Sequence, residues 1–92
     1  MKYRILYTGQ FKRSYKRCQK RGLPMDKLEK VVTLLAQNGS LPSSYRPHKL
    51  SSDYANCWEC HIEPDWLLVY EIQNDELVLV LIRTGTHSDL DF

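Results

Sequence analysis

Five residues of this 92-residue chain have side chains suited to moving protons and holding a phosphate: His48, His61, Asp65, Arg83 and His87. Imidazole titrates near neutrality, so it can give or take a proton at physiological pH. Guanidinium is a planar, permanently charged fork that matches a phosphate. Cleavage of RNA by its own 2′-hydroxyl needs a base for that proton, an acid for the departing 5′-oxygen, and fixed positive charge for the transition state. The five residues supply that set. Trp66 and the terminal Phe92 are aromatic platforms on which bases could stack, and Lys49, beside His48, joins them as a substrate-binding residue. Singly, each has a plainer reading: His48 as a surface loop residue, Asp65 as a turn after proline, Trp66 as core, His61 on a solvent-facing strand position, Arg83 paired with Asp89 or Asp91. Only convergence on one place favours the chemical reading.

The elements must provide that convergence. "KYRILY" at residues 2–7 alternates as a short strand. Thr8 is placed as a helix N-cap, with Phe11, Tyr15, Cys18 and Gly22 following as one stripe. A second helix opens at "DKLE", with Asp26 as cap and Glu29 closing a capping box. Its apolar stripe is Leu28, Val31, Val32 and Leu35, and Gly39 ends it in the left-handed conformation. Residues 40–53, rich in Ser and Pro, read as an ordered loop carrying His48. Three strands follow, at about 54–62, 66–72 and 77–83, with links short enough for an antiparallel meander. "LVLVLI" lacks polar alternation and reads as a central strand covered on both faces. The expected fold is α+β: a mainly antiparallel four-stranded sheet including the N-terminal strand, a two-helix antiparallel hairpin on one face, and a short C-terminal tail. In a meander the end of the first strand, the start of the second and the end of the third share an edge, which gathers His61, Asp65, Trp66 and Arg83. His87 folds back over that edge after Gly85, and His48 reaches it from the side. The reading stands or falls on His87 and Asp65 meeting there.

At this length the chain reads as one domain, residues 1–92. Its N-terminus has too short an apolar stretch for a signal peptide or membrane span, so a cytoplasmic protein without membrane contact is expected. Residues 1–49 hold twelve Lys and Arg against two acids, whereas residues 50–92 hold one Arg against nine acids. Such asymmetry points to a polyanion or an acidic partner. "CWECH" matches the c-type haem attachment pattern, but its strand-like alternation sends Cys57 and Cys60 to opposite faces, where they cannot share a ligand. Cys18 and Cys60 read as reduced, buried thiols. Zinc suits neither the histidine spacings nor the adjacent Arg83, so no metal and no cofactor is expected.

The strings "ECHIEPDWLLVYEI", "LVLVLIRTGTHSDL" and the upstream "HKL" resemble the YafQ branch of the RelE/ParE superfamily of bacterial type II toxins, over nearly the whole chain. The resemblance implies a RelE-like fold and a ribosome-dependent endoribonuclease that cleaves mRNA in the A site and so inhibits translation. It implies silencing by a cognate DinJ-type antitoxin in a heteromeric complex, for which a heterotetramer is one stoichiometry, and binding of operator DNA through that complex. By position, His48, His61 and His87 match the family's histidines, Asp65 its acid and Arg83 its arginine. Asp65 or His48 is then the general base and His87 the general acid. Phe92 matches a C-terminal aromatic displaced by an extra residue, Asp91. Lys12, Arg13, Lys16, Arg17, Lys20 and Arg21, on the first helix, become the ribosomal RNA-binding face, which could instead receive an acidic antitoxin segment. The alternatives are a non-catalytic ParE-like gyrase inhibitor, which does not need these histidines, and a small RNA-binding module.

Overall fold

The computed structural model describes residues 2–51 and 56–90. Strand β1 (Arg4–Tyr7) leads into helix α1 (Gly9–Lys20) and helix α2 (Met25–Asn38). A 3-10 turn at Ser43–Tyr45 precedes β2 (His48–Lys49), β3 (Trp58–Glu63), β4 (Trp66–Gln73) and β5 (Val78–Gly85), and helix α3 (His87–Leu90) closes the described chain. Among the described residues the sheet has five strands in the order β1-β5-β4-β3-β2. The β1–β5 pairing is parallel and the other pairings among the described residues are antiparallel. The expected class and helix hairpin hold, with three departures. His48 and Lys49 form an edge strand on β3 rather than loop. The C-terminal tail is helical over His87–Leu90. The strand covered on both faces is β4, whose residues Trp66 to Tyr70 are all buried, whereas β5 has half-buried positions at Val80 and Ile82.

Local chemistry explains the helix ends. The Thr8 hydroxyl accepts from the Phe11 amide at 2.9 Å and donates to the Ile82 carbonyl at 2.9 Å, so one side chain caps α1 and pins it to β5. The capping box expected at Asp26 does not form: α2 starts at Met25 behind Pro24, with no side-chain cap. Proline at that boundary presets its own φ and has no amide to satisfy, which removes part of the need for a cap. Gly39 ends α2 with φ 73°, and a Cβ there would lie 2.5 Å from the Tyr3 hydroxyl, so both backbone and packing require glycine.

Two cores lie on opposite faces of the sheet. On the helix face Phe11, Cys18, Leu28, Val31, Leu35 and Ala36 pack on Cys60, Ile62, Trp66, Leu68, Tyr70, Leu79 and Leu81. On the other face a smaller cluster joins Cys57, Leu67, Val69 and Leu90, with Leu50 and Ile82 against it. Cys57 and Cys60 thus part company across the sheet as their spacing requires. Burial pushes the Cys60 thiol up to about 12, which keeps it protonated and inert. A chain of hydrogen bonds ties helix to sheet: Trp66 Nε1 donates to Thr84 Oγ1 (2.9 Å), which donates to the Leu67 carbonyl (2.7 Å), while the Thr84 amide donates to Ser14 Oγ (3.2 Å).

Candidate active site

The face away from the helices carries the histidines, and strand register shows how. His48 pairs with Glu59, Glu59 with Val69, and Val69 with Arg83, which makes one row across four strands. The next row runs His61, Leu67, Gly85. Residues opposite one another share a face, so His48, Glu59, His61 and Arg83 stand over a floor that includes Leu67 and Val69.

Arg83 owes its place to an irregularity. A β-bulge between Val69 and Tyr70 makes Tyr70 face Leu81 but Val69 face Arg83, with Ile82 as the extra residue. In unbroken register Arg83 would oppose Leu68 and enter the helix-side core; the bulge turns it onto the histidine face. Its guanidinium then donates to the Asp89 carbonyl at 2.9 Å. Four strands at the usual spacing put the Cα atoms of His48 and Arg83 roughly 14 Å apart, so they bracket the site rather than touch.

Between them the imidazoles form a line. The His48 and His61 rings are 6.2 Å apart centre to centre, and His61 and His87 are 5.9 Å apart. His87 is held by Asp65, in the β3–β4 turn: its ring Nδ1 lies 2.5 Å from Asp65 Oδ1, and its backbone amide donates to the same oxygen at 3.0 Å. Both bonds favour the ionised carboxylate, and the His87 amide and ring hold the Asp65 pKa below the usual value. The His87 proton is thereby fixed on Nδ1, leaving Nε2 unengaged by Asp65. His61 differs: its Nδ1 is buried without a hydrogen-bond partner among the described residues. Burial, then the charge of Arg46, lowers its pKa, so the neutral ring is favoured. Around His48, Nδ1 faces the Arg46 carbonyl at 3.2 Å and Nε2 lies 3.3 Å from Glu59 Oε1.

The five residues expected to act together do share one face. The binding residues fare differently. Trp66 is 1% exposed, on the helix face, with its indole N–H already bonded to Thr84, so the expectation that it stacks on a base is overturned. Lys49 opposes Trp58, whose side chain packs on the helix-side core, so alternation turns Lys49 away from His48. Phe92 and Asp91 lie outside the described residues. Of the basic residues of α1, Lys12 and Lys16 line an apolar cleft of about 700 Å³ between α1 and α2, floored by Ile5 and Leu81. Arg13 and Arg17 line a small polar cleft of about 190 Å³ beside Arg83. Lys20 is exposed at the end of the helix. Arg21 is engaged by Asp89.

Sequence reasoning missed Glu59, a 7% exposed carboxylate beside His48. The period-2 pattern Cys57, Glu59, His61 was its signal. It also missed Arg46, which acts through a left-handed backbone (φ 51°) that sequence does not announce. No group of three or more His, Cys, Asp or Glu among the described residues is arranged to hold a metal ion, and no described helix is long and apolar enough to cross a membrane.

This small α+β fold is shared with known proteins. The family model described as "Bacterial toxin of type II toxin-antitoxin system, YafQ" matches residues 3–91, and the chain belongs to that family. It is 44% identical over 87 residues to an mRNA interferase toxin YafQ of Escherichia coli BL21-DE3, covering 94% of this chain and 92% of the relative. The crystal structure of YafQ from that strain superposes with a TM-score of 0.88 at 39% identity, over 96% of this chain and 97% of the other. YafQ in an E. coli DinJ–YafQ complex superposes at 0.86 with 40% identity, over 96% and 97%.

Proposed function

We propose that the chain is a ribosome-dependent endoribonuclease toxin that cleaves mRNA in the A site and is silenced by a DinJ-type antitoxin. The observation that carries the reading is the Asp65–His87 pair standing one ring away from His61. With Nδ1–H held by Asp65, a protonated His87 presents Nε2–H as general acid. His61, favoured neutral, takes the 2′-hydroxyl proton. The 2′-oxygen attacks phosphorus, the P–O5′ bond breaks, and His87 hands its proton to the 5′-oxygen, giving a 2′,3′-cyclic phosphate and a 5′-hydroxyl. Arg83 and His48 flank the phosphate and stabilise charge on it. Asp65, engaged by His87, serves to orient that ring rather than as the base.

The apolar cleft between α1 and α2, with Lys12 and Lys16 lining it, fits an acidic amphipathic segment of the antitoxin. Operator DNA is reached through that complex. Primer extension on translated mRNA tests the enzyme: wild type should give cleavage ends inside codons and His87→Ala should give none. Equal cleavage by both would remove His87 as the acid, and inhibition of gyrase supercoiling without RNA ends would replace the enzyme with a gyrase-binding toxin.

A further inference from the structure

The last turn of the described chain is tied down more heavily than four residues of helix need. Thr86 and Asp89 cap each other: the Asp89 amide donates to Thr86 Oγ1 at 3.1 Å and the Thr86 amide donates to Asp89 Oδ2 at 3.0 Å. The same carboxylate takes both nitrogens of Arg21, at 2.5 and 3.1 Å, from the C-cap of α1, with Arg17 3.8 Å away. Its backbone carbonyl accepts from Arg83. Gly85 lets it sit this close, since a Cβ there would lie 2.8 Å from Asp89 Cβ. Leu90 then seals the turn into the smaller core. His87 lies between these anchors, and its own side chain is 60% exposed, with Asp65 as its one hydrogen-bond partner among the described residues.

We propose that Arg21 and Asp89 are positioning residues for His87: a bidentate clamp from the end of α1 holds α3 so that the His87 ring meets Asp65 and presents Nε2 to the scissile phosphate. A four-residue helix has too few internal bonds to hold a direction by itself. An exposed imidazole on it needs an external brace to stay within the fraction of an ångström that proton transfer demands. The brace comes from α1, which is pinned to β5 through Thr8, so the acid is referenced to the same strand that carries Arg83. Arg21 thereby leaves the set of cations offered to ribosomal RNA. Its planar fork suits the role, because two nitrogens meet the two carboxylate oxygens in parallel, whereas lysine offers a single nitrogen and holds the direction less firmly.

This inference rests on His87 acting as the acid, and the test separates the two. Full-length Arg21→Ala, Arg21→Lys and Asp89→Asn are compared with wild type in single-turnover cleavage of mRNA on programmed ribosomes, with ribosome concentration varied. The His87 ring tautomer is followed in parallel by nitrogen-15 NMR of the isolated protein. Asp89→Asn retains an acceptor for the Thr86 amide, so it decides the matter if Arg21→Ala fails to fold. Expected are a saturating rate lowered roughly ten- to a hundredfold, an unchanged half-saturating ribosome concentration, partial recovery with lysine, and loss of the single Nδ1–H tautomer of His87. A changed half-saturating concentration with an unchanged rate would make Arg21 an ordinary phosphate contact and overturn the proposal. So would a His87 ring signature identical to wild type. His87→Ala is run alongside: wild-type cleavage by that variant defeats the catalytic reading, and the clamp is then judged on the ring spectra alone.

Discussion

Asp65 holds His87 twice through one carboxylate oxygen, once at the ring Nδ1 and once at the backbone amide. A turn residue on one hairpin therefore sets both where the imidazole is and which nitrogen carries its proton. The first of these jobs needs only an acceptor, whereas the second needs a charge.

Asp65→Asn separates them. The amide oxygen still accepts from the His87 backbone, but no negative charge favours the Nδ1–H tautomer. Cleavage should fall by roughly a hundredfold or more, with thermal stability close to wild type. Single-turnover rates beside a melting curve make the comparison; an Asn variant as fast as wild type would leave Asp65 with no part in orienting a catalytic His87.

His61 should titrate below an ordinary histidine, because it is half-buried and feels the charge of Arg46. Its folded pKa is lower than its unfolded one, so the unfolded chain binds more protons as pH falls below about 6.5, and stability drops over that range until the folded value is passed. Arg46→Gln removes the cationic neighbour and should move the His61 midpoint upward and shrink this acid loss. NMR titration of the His61 ring reads the shift directly, and a midpoint unmoved or lowered in the variant would count against the electrostatic assignment.

Trp66→Phe should cost about 1–3 kcal/mol, because it deletes a buried donor and leaves Thr84 Oγ1 short of one bond. RNA cleavage per folded molecule should be unchanged, since the indole lies under the helices. A denaturant midpoint near that of wild type, combined with weaker cleavage, would return Trp66 to the substrate.

Leu77 sits 42% exposed with φ 54° just before β5, a conformation that costs a leucine roughly 1–2 kcal/mol. Leu77→Gly should stabilise the fold by about 0.5–1 kcal/mol after the added flexibility of the unfolded chain is subtracted. A lower melting temperature than wild type would show that Leu77 makes apolar contacts outweighing its strain.

The sequence carried the architecture because its strongest signals are local: Thr8 before an amphipathic run, Gly39 after one, and short links between apolar stretches. The edge-sharing geometry of a meander was enough to bring His61, Asp65 and His87 together. What stayed hidden depends on single-residue register. The bulge at Val69 and Tyr70 decides the face of Arg83, yet no glycine or proline marks it. The two-residue strand at His48 is too short to show a period. Trp66 alternates the same way whichever face is wet, and only the helices settle which one is. Asp89 read as an ordinary surface acid because its partner, Arg21, lies 68 residues away in sequence.

A single sheet separates the helix-packed core from the row of imidazoles, and that division predicts what selection against toxicity would recover. Bacteria surviving expression of this chain should carry two kinds of lesion. One kind is scattered through Phe11, Leu35, Leu68 and their neighbours and lowers how much protein accumulates. The other is confined to a handful of positions on the opposite surface and leaves abundance, antitoxin pairing and shape intact. Members of the second group would be inert decoys, able to soak up antitoxin without harming the cell.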